Sequence, residues 1–419
     1  MRDLVSYICE VILAILIGYH FIHSFFNKDK SLIWSPISTV SLTYIYYCLW
    51  PFFGTKRARF MIDESMFDGY LFHIAALLSY VFILIGFSFS SKAQFKKWNK
   101  YFTESNITKI GLVITLVGII GYSSIRGFHF SFAKTSVSNE LATGGFVYYL
   151  MMMIDMLAFA GGLLLIGLKN DSKQVLVWVA FWFILVQFLV AGARWRIVVS
   201  AISMLTAYYL YPKPKKVNVV IIATLGIVMY LGFSVMDRAR SRGKGIDMEV
   251  AKDLNYNDIK GGAIENEAVY TFSMQCMYYI NQTGVRCYFE PVITAVLMPI
   301  PRFIFPRKPD GNYLHVVETI VEGNADGGAA YLNFVESYYS FGWFGVIFWA
   351  WILGWLARRF WDNYQCNRDS IGAIVGLGVF SGMCYVIISR GYIAASVTSL
   401  IICICVPFWI AALYKKMFF

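Results

Sequence analysis

Charged side chains are scarce in this chain. They make up 15% of its 419 residues, against roughly a quarter in soluble domains. A chain with so little charge cannot dress a water-facing globule of this length. No Walker-type phosphate loop is present, so nucleotide-driven chemistry lacks its cradle. The five histidines (His20, His23, His73, His129 and His315) follow no metal-ligand spacing. No internal repeat, low-complexity tract or separate soluble domain interrupts the chain. No small-residue cleavage site follows the first apolar run, which comes after just Arg2 and Asp3, so no signal peptide is expected. The eight cysteines also give little. Cys9, Cys48, Cys384, Cys403 and Cys405 fall in apolar runs, and Cys366 falls in a short basic loop. Cys276 and Cys287 share one long loop and could pair in an oxidising compartment, though their spacing does not require it.

Apolar residues are abundant: 58% hydrophobic and 18% aromatic. Runs of about 20 apolar residues recur, the length that crosses a bilayer as a helix. The expected fold is an all-α polytopic membrane protein with about eleven spans: 4–25, 32–53, 69–90, 107–125, 146–168, 174–192, 195–211, 217–236, 331–357, 371–389 and 392–413. This divides the chain into eight spans (1–236), a long loop with short helices (237–330), and three closing spans (331–419).

The short loops 27–31, 91–106, 169–173, 212–216 and 357–370, with the C-terminal lysines, carry thirteen Lys and three Arg. The positive-inside rule makes that side cytoplasmic, leaving the N-terminus and long loop outside. The outer side carries thirteen Arg and six Lys, ten of these nineteen in the long loop. Lysine suffices for topology, whereas arginine's planar fork suits phosphate and carboxylate. The outer face therefore reads as an anion-binding surface. The plainer reading is that a basic chain scatters arginines.

Five constellations carry the candidate chemistry. At Ala191–Arg196, Arg194 and Arg196 flank Trp195 at a tight turn, and Arg196, Ser200 and Ser203 share a helical stripe. Snorkelling arginines at lipid headgroups fit the same pattern. At Asp237–Lys244, Arg238, Arg240 and Arg242 alternate, as a pyrophosphate clamp or as a solvated charge run. Met298–Asp310 holds four prolines with Arg302, Arg307 and Lys308. Such a segment cannot be helical, and the apolar run before it can lie in the interface or re-enter partway. In the ninth span, Glu336 shares a face with Asn333 and Ser340, beside Tyr339. An intramembrane carboxylate is a functional candidate by default, as a general base, with a structural ion pair to arginine as the alternative. The fifth is Arg390-Gly391, at a sharp turn. Asp155, Glu10 and Gln187 are further buried polar candidates, and His315 is a second candidate base.

The order of short motifs resembles the Wzy-type O-antigen and capsule repeat-unit polymerases. It runs Pro301-Arg302, Pro306, Lys308-Pro309, then Gly327-Gly328, then Glu336, Tyr338, Tyr339, Gly342 and Gly345, then Arg390-Gly391. The resemblance implies a GT-C-like, metal-independent glycosyltransferase without a cofactor, at the outer face of a bacterial inner membrane. It would use undecaprenyl-pyrophosphate-linked glycans and membrane lipid, with a chain-length regulator protein as partner and no nucleic acid. In that role Arg194, Arg196, Arg302, Arg307 and Arg390 stabilise the pyrophosphate, with Lys308 beside them. Arg238, Arg240 and Arg242 guide phosphate or glycan, Tyr339 stacks on sugar, and Glu336 or His315 acts as base. An O-antigen ligase would share the donor. A lipid or polysaccharide transporter would show repeats and helices broken at the midplane, which the sequence does not.

Overall fold

The computed structural model describes residues 2–54, 69–89, 100–126, 150, 152–179, 182, 194–218, 220, 222, 224, 226, 264–297, 300, 304–306 and 330–418. Every regular element among them is helical. In order they are α1 (Arg2–Phe26), α2 (Pro36–Tyr44), α3 (Trp50–Gly54), α4 (Tyr70–Ser88), α5 (Ile107–Arg126), α6 (Leu157–Asn170) and α7 (Arg194–Leu210). There follow α8 (Ile264–Thr283), α9 (Glu290–Leu297), α10 (Asn333–Cys366), α11 (Ile371–Ser389), α12 (Ile393–Leu400) and α13 (Val406–Phe418).

Seven helices among the described residues are long and apolar enough to cross a membrane: Leu4–Phe26, Tyr70–Ser88, Ile107–Ser124, Met153–Asn170, Asn333–Cys366, Ile371–Ser389 and Ile393–Met417. This is the pattern of an all-α polytopic membrane protein. The expected span 195–211 is a shorter apolar helix, Trp195–Leu210. The expected spans 174–192 and 217–236 lie largely outside the described residues.

The expected span 32–53 is helical but interrupted. A π turn at Ile45–Leu49 joins α2 to α3, and a second at Ile401–Cys405 joins α12 to α13. Each ends two residues before a proline, Pro51 or Pro407. Proline offers no N–H and its ring crowds the carbonyl four residues back, so the preceding turn widens by one residue. The Trp50 and Val406 amides accordingly reach back to the carbonyls of Ile45 and Ile401.

The chain forms two compact units. One comprises Met1–Gln94, Asn266–Cys366 and Met383–Thr398. Its centre is α4 against α10, with α1 on α4. Gly86 of α4 faces the Trp351 carbonyl, and Gly354 of α10 faces the Ile83 carbonyl. Any Cβ at either position would strike the opposite backbone, so the two helices touch main chain to main chain. Hydroxyl pairs tie α2 to α4: Tyr44 donates to Ser79 (2.9 Å), and Ser41 and Tyr80 bond at 2.8 Å.

The segment expected as loop contributes α8, a 20-residue helix packed into this unit. Asn266, Ser273 and Ile280 on it are fully buried. Its polar ends lower its mean hydropathy and disguise the buried stripe. Ser273 accepts from the Leu332 amide, and Asn281 accepts from Tyr338.

The other unit comprises Phe95–Glu265, Asn367–Gly382 and Ser399–Phe419. Here α6 packs against both α5 and α7. Gly378 and Gly382 bring α11 against the backbone of Ser203 and Val199 on α7. Phe102, Phe159 and Phe408 close an aromatic cluster, their ring centroids 5.2–5.5 Å apart.

Candidate functional site

Glu336 lies in the first turn of α10 and is fully buried. A carboxylate there needs a donor. It finds the Ile393 amide, 2.8 Å from Oε2 and 3.1 Å from Oε1. Ile393 opens α12, so the carboxylate sits on a helix N-terminus, where unsatisfied amides and the helix dipole favour an anion. The sequence alternatives for Glu336 were a base and an ion pair with arginine. Among the described residues it accepts from this amide.

Arg390-Gly391 forms the turn just before α12. Gly391 has φ +30, and a Cβ there would lie 2.5 Å from the Tyr331 ring and 2.7 Å from its carbonyl oxygen. The turn therefore presses on the residues leading into α10. Two motifs more than fifty residues apart in sequence meet here: Glu336 holds the amide, and Tyr331 supports the glycine. Gly391→Ala is expected to destabilise the protein by about 1–3 kcal/mol, read as a lowered unfolding midpoint of the purified protein in detergent.

The glycines after Glu336 also have a physical cause. α10 is broken at Phe341 (φ −136, ψ 24) and Gly342 (φ 61, ψ −142). Gly342 takes a left-handed backbone that side chains resist. One turn on, Gly345 abuts the Ser337 carbonyl, which leaves no room for a Cβ. The carbonyls freed by the break are partly recovered, since the Cys287 amide donates to Tyr339 O at 3.1 Å.

Arg286 marks this break and was not singled out from the sequence. Its guanidinium lies 4.8 Å from the Tyr338 ring centre and donates to the carbonyls of Ile280 (3.3 Å) and Val285 (3.0 Å). A lone loop arginine gives no sequence signal of this. Tyr339 is buried. Cys276 and Cys287 are both buried and are not joined in a disulfide. Burial pushes Cys287 up to about 12, against a weaker opposing bond from Ser340, which leaves it inert at neutral pH.

A second buried polar group lies between α1, α4 and α8. Glu10 and His73 are 2.6 Å apart, and the Tyr270 hydroxyl is 3.4 Å from the other His73 nitrogen. Glu10 was legible as a buried polar candidate, but its partner was not.

Arg196 belongs to the other unit. Its Nε donates to Asp155 Oδ1 at 2.5 Å, and the Trp195 ring stacks on the guanidinium at 4.9 Å. Ser399 donates to Asp155 Oδ2 at 3.3 Å, and Cys403 to its carbonyl. The pair lines a recess with Ile154, Leu157, Ala158, Val199 and Cys403. Arg196 is therefore a neutralised cation, with 18% of its side chain still exposed. Asp155, expected as a buried polar candidate, is its counter-ion.

Arg194 opens α7. Arg238, Arg240, Arg242, Arg302, Arg307, Lys308 and His315 lie outside the described residues. Glu336, Tyr339 and Arg390 thus fall in one unit, and Arg196 in the other.

Comparison with known proteins gives no match to any family model, curated protein or solved structure.

Proposed function

We propose that the protein is a membrane glycosyltransferase that polymerises lipid-pyrophosphate-linked oligosaccharide units, of the kind its motifs resemble. The observation that carries this reading is the junction of Glu336, Tyr331 and the Arg390-Gly391 turn. The closing motif and the span-nine motif are built into one structural element of an all-helical, membrane-type chain. In this reading the chain has about eleven spans in a GT-C-like arrangement, its long loop and N-terminus extracytoplasmic and its C-terminus cytoplasmic. The membrane is the bacterial inner membrane.

The chemistry is a displacement at the anomeric carbon of the growing glycan. The bond from that carbon to the lipid pyrophosphate breaks, and the pyrophosphate leaves with the electron pair. A hydroxyl of the next lipid-linked unit forms the new bond and gives up its proton to a base. Charge develops on the pyrophosphate, so preorganised arginines supply the largest stabilisation. Arg390, Arg302, Arg307 and Lys308 take that role in one unit, and Arg194 and Arg196 are proposed as phosphate-binding residues of the other. Arg238, Arg240 and Arg242 guide the substrate at the rim, and Tyr339 contributes to the sugar-facing wall. Glu336 is a positioning residue that fixes the Arg390 turn, and His315 is the candidate base.

The purified protein, incubated with an authenticated lipid-pyrophosphate repeat unit, is expected to yield a ladder of longer glycans. Arg302→Ala should abolish the ladder, and Arg302→Lys should leave a weak one. Full activity in both removes Arg302 from the site. Transfer to a lipid A core acceptor without a ladder would identify a ligase, and substrate flux without glycan growth a transporter.

A further inference from the structure

α9 is eight residues long, about 12 Å, too short to cross a bilayer. Pro291 and Thr294 face inward. On the other side Phe289, Ile293 and Val296 are 63%, 46% and 65% exposed. Their spacing places them on one helical stripe. Beyond the helix Ile304 and Phe305 are exposed as well. Water-facing positions on so short a helix would normally be polar, so the stripe needs an apolar partner.

The neighbouring contacts say which. The Phe289 ring packs edge-on against Phe341 at 4.9 Å. One turn further along α10, Phe344 is 65% exposed and stacks at 5.7 Å on Phe348, which is 40% exposed. The α9 stripe thus continues the outward apolar face of a helix long enough to span a membrane.

The level along α10 is also fixed. Arg358, Arg359 and Asp362 mark one polar end. From Trp343 to Ala357 the unbroken part of α10 is fifteen residues, roughly 22 Å of helix and most of one hydrocarbon thickness. The break at Phe341–Gly342 therefore lies towards the opposite boundary, and the residue leading into α9 touches α10 there. Tyr288, 60% exposed, supplies an amphipathic ring at that depth.

We infer that α9 is an interfacial helix lying along the bilayer surface, with Phe289, Ile293 and Val296 inserted among lipid acyl chains. The inference stands on this geometry whether or not the protein is a polymerase. If it is one, the chain leaves α9 at headgroup level directly into the Pro/Arg segment, whose first arginine, Arg302, comes five residues after Leu297. That is the depth at which a lipid pyrophosphate presents its charge.

The test is site-directed spin labelling of the full chain in liposomes of phosphatidylethanolamine and phosphatidylglycerol. Exposed Cys366 and Cys405 are first replaced by serine and alanine. Single labels are then placed by Phe289→Cys, Ile293→Cys and Val296→Cys, with Phe344→Cys as the lipid control and Ser172→Cys as the aqueous control. At the three α9 positions, collision with oxygen is expected to exceed collision with a water-soluble nickel chelate, with a ratio several-fold above that at Ser172→Cys. Ratios matching Ser172→Cys would overturn the inference. So would low collision with both reagents, which would mean that a second copy or another protein covers the stripe. The readout is independent of catalysis, so failure of the polymerase reading leaves it intact.

Discussion

Glu336→Gln is expected to keep elongation within about tenfold of the parent protein, whereas Glu336→Ala loses about a hundredfold. The amide oxygen of glutamine can still accept from the Ile393 N–H, which Glu336 holds at 2.8 Å. What changes is the strength of one buried hydrogen bond, about 0.5–1.5 kcal/mol, and tenfold corresponds to about 1.4 kcal/mol. Alanine leaves the buried amide without its acceptor, at about 1–3 kcal/mol, and frees the Arg390 turn. A misplacement near 1 Å costs about a hundredfold in rate. Initial rates of ladder formation, at equal amounts of monodisperse protein, check both. If Glu336→Gln is as inactive as Glu336→Ala while folding normally, Glu336 is the base, because removing a base costs about 10²–10⁴-fold.

Asp155→Ala is expected to destabilise the protein by about 3–5 kcal/mol, the usual penalty for leaving a buried partner charge uncompensated. Asp155 is wholly buried while Arg196 keeps a small exposure, so the stranded guanidinium has little water to turn to. Replacing both, Asp155→Leu with Arg196→Met, should recover most of the loss, since apolar substitutes for buried ion pairs are often neutral or better. The unfolding midpoint in detergent separates these outcomes. The double variant also separates structure from chemistry. It is expected to be stable yet deficient in elongation if Arg196 serves the pyrophosphate. A stable double variant with full activity would confine Arg196 to a structural role.

The apolar runs were legible because a bilayer forces each crossing segment to satisfy its own backbone, which imposes length and composition on α1, α4, α5, α10 and α11. Pro51 and Pro407 fall inside the expected spans 32–53 and 392–413, which were drawn without a break; the π turn that absorbs each was not foreseen. α8 was hidden, since IENEAVYTFSMQCMYYINQT carries its apolar stripe between polar ends. At the candidate site, single residues were legible and partners were not. Glu336 and Asp155 stood out as carboxylates in apolar surroundings. That one would meet a helix N-terminus and the other Arg196 depends on which helices are neighbours. No local pattern encodes that. Gly391 and Gly345 were visible as motif letters, and the structure supplies their cause in the Tyr331 and Ser337 carbonyls pressed against them.

The close approach of α4 and α10 has a mechanical side. Gly86 and Gly354 pin the part of α10 beyond its break to the α4 backbone, with no side chain between them to yield. Ahead of the break, α10 meets α4 through the rings of Phe334 and Phe72, a contact that can slide. The long helix is therefore a clamped shank carrying a jointed head, and the joint is two residues, Phe341 and Gly342. Any travel of Glu336 relative to α4 would be taken up by torsion at that joint. A proline or a β-branched residue in place of Gly342 would thus lock the head without touching the carboxylate it carries.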